Sequence, residues 1–179
     1  MQTSAAPNPF SIERSIELLE RTPSVLRSLL QDLPAHWITA NEGPDTWSPY
    51  DVVGHLVHAE RVAWIARAEL ILSDREDKTF PPLDRFAQFA ESKGKTLHQL
   101  LDDFDAHRSA NLNALRQLPS GEALQRTGVH PQFGNVTLAQ LLATWTVHDL
   151  DHINQIVRVL AKQYGEAVGP WKANLRILG

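Results

Sequence analysis

Two histidines four residues apart, His148 and His152, interrupt the apolar stretch "ATWTVHDLDHINQIV" at 143–157. Leu141, Trp145, His148, His152, Ile156 and Val159 recur at helical spacing, so the imidazoles stack one turn apart on the face a helix turns to its core. On a second segment Val52, His55, Ala59, Val62 and Ala66 trace an equivalent face, which places His55 inside as well. A lone core histidine is ordinarily satisfied by a carbonyl or carboxylate. Left without partners, buried ring nitrogens cost about 1–3 kcal/mol per group. Gathered around a divalent cation, each offers a neutral lone pair, and zinc and nickel accept such ligands readily. Three protein ligands leave a position open, the pattern of a catalytic site. A cation held there lowers the pKa of bound water to about 7, as hydrolysis requires. It also holds a thiol as thiolate, as group transfer requires.

Other titratable residues fall near this trio. His58 follows His55 by three positions and reads as a residue at the rim. Glu60 and Arg61 read as a cavity-lining ion pair or a solvated helix face. Asp149 and Asp151 flank the histidine pair, where a carboxylate can hold an imidazole N–H and fix its tautomer. His130, in "HPQFG", reaches substrate if its loop folds over the end of the bundle. His58, Glu60 and His130 are thus the candidate proton-transfer residues. Arg67 and Arg108 are candidates to grip a substrate carboxylate. Trp145 can wall the pocket, and Trp47 is expected to pack beneath a helix start.

The elements that must position these residues have legible starts. A first helical segment runs over 10–33 and is interrupted at Thr22-Pro23, with Thr22 as cap and Pro23 as first helical residue. A second opens at "WSPYD", with Ser48 as N-cap, Pro49 inside it and Asp51 on the dipole, and runs to 72. Thr96 with Gln99 and Thr137 with Gln140 are capping-box pairs that open a third helix to 118 and a fourth to 164. The connections 32–46, 73–95 and 119–135 are long, and the middle one has room for a helical turn near 84–90. Four helices and no convincing strand run predict an all-α, up-and-down four-helix bundle with long connecting loops. In an alternating bundle the second and fourth helices run the same way, and a stagger of one or two turns levels the three histidines. Residues 1–9 read as a flexible arm and 10–179 as one domain.

Bulk properties narrow the function. The chain has 179 residues, 42% of them hydrophobic and 21% charged, and a net charge of −4. With no basic stripe, nucleic acid is not an expected partner. No apolar run approaches the ~18 residues of a membrane span. There are no cysteines, which excludes disulfides and thiolate ligands, so any thiol must come from outside. The start of the chain lacks a basic-then-apolar leader, which predicts a cytoplasmic protein.

"WSPYDVVGHLVHAERVAWIAR" followed by "HPQFGNVTLAQLLATWTVHDLDHINQI" resembles the DinB/YfiT-like superfamily, in particular its DinB_2 type of domain, over residues 10–163. The resemblance implies a four-helix bundle with nickel or zinc held by three histidines, which by position are His55, His148 and His152. It further implies a small-molecule substrate, a homodimer, and an activity among metal-dependent hydrolases or transferases that use a low-molecular-weight thiol. The alternative expectation is a non-catalytic, homodimeric stress-response bundle that binds a metal or small ligand. Such a protein would cap its histidines with protein groups and expose an apolar patch elsewhere, whereas an enzyme would keep a cavity open from solvent to its metal.

Overall fold

The computed structural model describes residues 10–179, and the arm expected over 1–9 lies outside the described residues. Each long helix begins where local chemistry tells it to. Ser11 caps α1 (Ile12–Leu19) by accepting from Arg14 N. Capping boxes open α4 (Pro49–Val62) at Ser48/Asp51, α7 (Leu97–Leu115) at Thr96/Gln99 and α8 (Leu138–Lys162) at Thr137/Gln140. The first bundle helix is α1 followed by α2 (Thr22–Leu30). Thr22 is not its cap, because the hydroxyl donates instead to Asp149 Oδ2 at 2.6 Å. The second bundle helix is α4 followed by α5 (Trp64–Leu72), interrupted at Ala63. Asn111 Nδ2 donates to Glu60 O at 2.7 Å beside that break. A side chain occupying a ladder carbonyl is a recognised cause of helix discontinuity. Shorter elements fill the connections: α3 (Ala35–Thr39), then α6 (Ala87–Ser92) in the long crossing.

The four-helix bundle is as expected, and its helix directions follow from which residues meet. Arg116 pairs with Glu20 and Arg27 pairs with Asp102, so α1–α2 and α7 are antiparallel. Tyr50 Oη donates to Ser92 O and Lys95 O, while Glu60 meets Arg108, so α4 and α7 are parallel. His55 faces His148 and Trp64 stacks on Trp145, so the second and fourth helices are antiparallel. Ile12 and Leu19 pack near Leu138 and Leu141, and Leu26 near Ile156, so the first and fourth are parallel. The order is therefore up, down, down, up, and the parallel course expected for the second and fourth helices is replaced by a facing, antiparallel one. The parallel pair accounts for the long crossing. A helix from Pro49 to Leu72 rises about 35 Å at 1.5 Å per residue, and the chain must return that distance before α7 can start.

Between α7 and α8, where a loop was expected, β1 (Thr127–His130) and β2 (Gly134–Thr137) form an antiparallel hairpin, and Thr79 of the crossing bridges to Val129. Gly134, at φ 71°, supplies the left-handed residue that a three-residue hairpin loop needs. No helix among the described residues is long and apolar enough to cross a membrane.

The core lies in two apolar halves, one around Leu19, Trp64, Ile71 and Leu138, the other around Leu26, Leu56, Phe104 and Ile156. A buried polar layer separates them. Arg108 donates to Asp149 (2.6 and 3.0 Å), to Glu60 (2.9 Å) and to Leu19 O (2.8 Å). Trp145 Nε1 and Asn111 Nδ2 complete Glu60, and Thr22 completes Asp149. One guanidinium thus ties all four bundle helices at a single height.

Candidate metal centre

The histidines come from the two facing antiparallel helices. His148 and His152 project from one face of α8, one turn apart, and His55 meets them from α4. His148 Nε2 lies 3.2 Å from His55 Nε2 and 3.2 Å from His152 Nε2, and one nitrogen from each ring falls within 4.8 Å of the others. Ligands at about 2.0–2.1 Å around a tetrahedral cation stand about 3.3–3.4 Å apart. Two of the three separations match that edge, and the third lies within 4.8 Å, so the three nitrogens form one compact cluster.

Their electrostatics suit a cation. Burial, reinforced by the neighbouring histidines, holds His55 down to about 3 and His148 to about 2. Burial also lowers His152, opposed by its hydrogen bond to Gln155 and by Asp151 and Asp149. All three rings are therefore neutral at pH 7 and carry lone pairs. Gln155 Oε1 accepts from His152 Nδ1 at 2.8 Å, which leaves Nε2 of that ring as the free donor atom. The Nδ1 atoms of His55 and His148 are buried without partners.

Aromatic rings fix the imidazoles. Trp47 lies 4.9 Å from His55 and stacks at 15° over His152, ring centroids 6.5 Å apart. Trp64 meets His148 edge-on at 5.0 Å. Trp47 therefore forms a wall of the centre rather than packing beneath its helix start. Trp145 is fully buried behind Trp64 and bonded to Glu60. A cavity of about 680 Å³ reaches the trio at His152, with Gln155, Trp47, Arg85, Phe86 and Phe89 also in its lining.

The candidate proton-transfer residues lie elsewhere. His58 is buried and its Nδ1 meets Glu91 of α6 at 2.8 Å, so it anchors the crossing rather than standing at the rim. Arg61 pairs with the same Glu91 and not with Glu60. Glu60 has both oxygens taken in the buried layer, where neither a cavity nor solvent reaches it. His130 ends β1, stacks on Phe133 at 4.5 Å and accepts from Gln132 N, outside the cavity lining. Asp149 is bound by Arg108 and Thr22, and Asp151 is exposed, so neither holds an imidazole. Arg108 is buried in its ion pairs, and Arg67 lies over Phe80, its Cζ 5.2 Å from the ring centre. Neither lines the cavity.

Sequence reasoning missed Trp64, Gln155 and the crossing residues Arg85, Phe86 and Phe89. Gln155 carried a usable signal, since it follows His152 by three positions and so shares its side of α8. The crossing carried none, because its place beside His152 depends on the helix order.

Comparison with known proteins agrees with this architecture. YfiT from Bacillus subtilis, described as having an unusual four-helix bundle topology, matches with a TM-score of 0.75 at 20% identity, covering 91% of this chain and 92% of that one. The four-helix bundle protein TT2238 matches with a TM-score of 0.53 at 20% identity, covering 86% of this chain and 98% of that one. No curated protein matches the chain. Residues 18–156 match the DinB_2 family, a span that includes all three histidines, and the chain accordingly belongs to the DinB superfamily.

Proposed function

We propose that this protein is a metal-dependent hydrolase of a small molecule, with a divalent cation, zinc or nickel, held by His55, His148 and His152. The observation that carries the reading is the clustering of one neutral ring nitrogen from each histidine within 4.8 Å of the others, two pairs of them at 3.2 Å, with His152 open to a cavity. A non-catalytic bundle would close its histidines off with protein groups. YfiT is itself described as a probable metal-dependent hydrolase. When bound, the cation would supply Lewis acidity and bring the pKa of a water ligand near neutrality.

The chain's own residues do the rest. Gln155 holds the His152 tautomer, and Trp47 and Trp64 hold the rings in place and keep solvent from their sides. The cavity lies between the 42–47 loop, the crossing and α8. The acids in its lining are Glu42, paired to Arg158 at 2.7 Å, and Asp45.

Elemental analysis of the purified protein, followed by competitive titration with Zn²⁺ and Ni²⁺, tests the centre. His55→Ala, His148→Ala and His152→Ala should each weaken binding by more than the 10–100-fold that follows loss of an outer partner. Wild-type affinity no better than that of His148→Ala would refute it. Turnover of an ester and amide panel, run with and without an external low-molecular-weight thiol, tests the reaction. Activity that needs the thiol would replace hydrolysis by transfer.

A further inference from the structure

The cavity that reaches His152 carries an unusual balance of charge. Glu42 accepts from Arg158 at 2.7 and 2.9 Å and lies 3.5 Å from Lys162, so its charge is answered. Arg85 has no such answer. Its guanidinium lies 5.0 Å from the centre of the Phe86 ring, and among the described residues no acceptor takes its N–H groups. The backbone that carries it is nonetheless held. Asp84 Oδ1 accepts from Phe86 N at 2.9 Å, Asp84 O accepts from Ala87 N at 3.2 Å, and Leu83 O accepts from Arg85 N at 3.1 Å. The Phe86 and Phe89 rings stack at 16°, and Phe89 meets Trp47 edge-on at 6.2 Å. The cavity therefore runs from a free planar cation at its lip, past three aromatic rings, to His152 at its floor. An arginine fork without a partner matches a carboxylate, which it binds through two parallel hydrogen bonds. Asp45, also in the lining, has no cationic partner among the described residues and disfavours a second anionic group.

We propose that the substrate is a small monocarboxylate with a flat apolar body. Arg85 holds its carboxylate at the lip, and Trp47, Phe86 and Phe89 hold its body. Its reacting end faces the histidine trio. This rests on the hydrolytic reading for what happens at the floor, whereas the subsite at the lip belongs to the chain alone and binds without a cation.

The probes are 3-phenylpropionate and its uncharged twin 3-phenylpropanamide. Their binding is measured by calorimetry on metal-free and zinc-loaded protein, for wild type, Arg85→Gln and Arg85→Lys. A charge-assisted hydrogen bond at a partly exposed site predicts that metal-free wild type prefers the acid by roughly tenfold. Arg85→Gln should bring the two probes within about twofold, and Arg85→Lys should fall between. Arg85 is exposed, so the variants should melt with the wild type. Equal binding of acid and amide by wild type, or a preference that survives Arg85→Gln, overturns the proposal. A preference that appears only on zinc loading puts the carboxylate on the cation, which overturns the subsite and leaves the hydrolytic reading standing. Failure of zinc to bind, with the tenfold preference intact, sinks the hydrolytic reading and leaves the subsite.

Discussion

Replacing Arg108 with Met tests whether the buried polar layer holds the bundle in register. Arg108 is 1% exposed and supplies bonds to Asp149, Glu60 and Leu19 O. Met keeps much of its length and removes the charge. Two carboxylates then remain buried side by side, with only the neutral donors of Thr22, Asn111 and Trp145 between them. Breaking a buried pair in this way costs about 3–5 kcal/mol, a large part of the 5–15 kcal/mol that typically holds a domain. At a urea slope of about 2 kcal/mol per molar, the midpoint should fall by about 1.5–2.5 M. The assay is urea unfolding of metal-free protein followed by circular dichroism, so that cation binding does not mask the loss. The triple variant Arg108→Met/Glu60→Gln/Asp149→Asn removes all three charges and should recover more than half of the deficit. A midpoint shift under about 0.5 M for the single variant, or a triple variant no better than it, would refute the reasoning.

The same unfolding experiment carries a pH signature. His55 and His148 are held to about 3 and about 2 in the fold, whereas the unfolded chain takes up those protons near 6.5. With folded values depressed, the histidines favour the native state above pH 6.5 and progressively less as pH falls. Metal-free protein should lose up to about 5 kcal/mol between pH 6.5 and 4.5, and His55→Asn/His148→Asn should flatten that slope; a wild-type midpoint unchanged from pH 7 to 5 contradicts the burial. Gly54 lets α6 lie against α4, since a Cβ there would stand 2.4 Å from Ser92 Oγ and 2.6 Å from Gln88 Oε1. Gly54→Ala should cost about 1–3 kcal/mol and speed hydrogen exchange across 87–92, and unchanged protection of that segment would count against the close approach.

What could be read from the sequence was local. Capping boxes at Ser48, Thr96 and Thr137 involve residues three apart, so their geometry is set before any tertiary contact forms. The histidine trio was legible for a related reason: helical periodicity alone turns His55, His148 and His152 inward. Glu60, Arg108 and Asp149 were not legible as a unit, because a charged residue on a helix looks the same whether solvent or an opposite charge awaits it. Their partners sit 48 and 41 residues away in sequence. The hairpin lay between these cases. Val129, Val136 and Thr137 flank a glycine at hairpin spacing, a signal that a search for long helices passes over.

Helix order links fold to function most directly. In a strictly alternating bundle, each connection joins the ends of antiparallel helices and leaves the side of the bundle bare. Here the parallel course of the second and third helices sends the chain back along that side, through 73–95. Glu91 pins this return to His58 and Arg61, and Tyr50 pins it to Ser92 and Lys95. Those anchors all lie on α4, the helix that also presents His55. The strand of chain that topology requires is thereby laid beside the histidine trio, and it is this strand that contributes Arg85, Phe86 and Phe89 to the cavity. The bundle core can stay fixed to hold three nitrogens at one point while the returning segment varies in sequence. A change confined to that segment should therefore alter which small molecule enters without altering cation affinity, and a change in the trio should do the reverse.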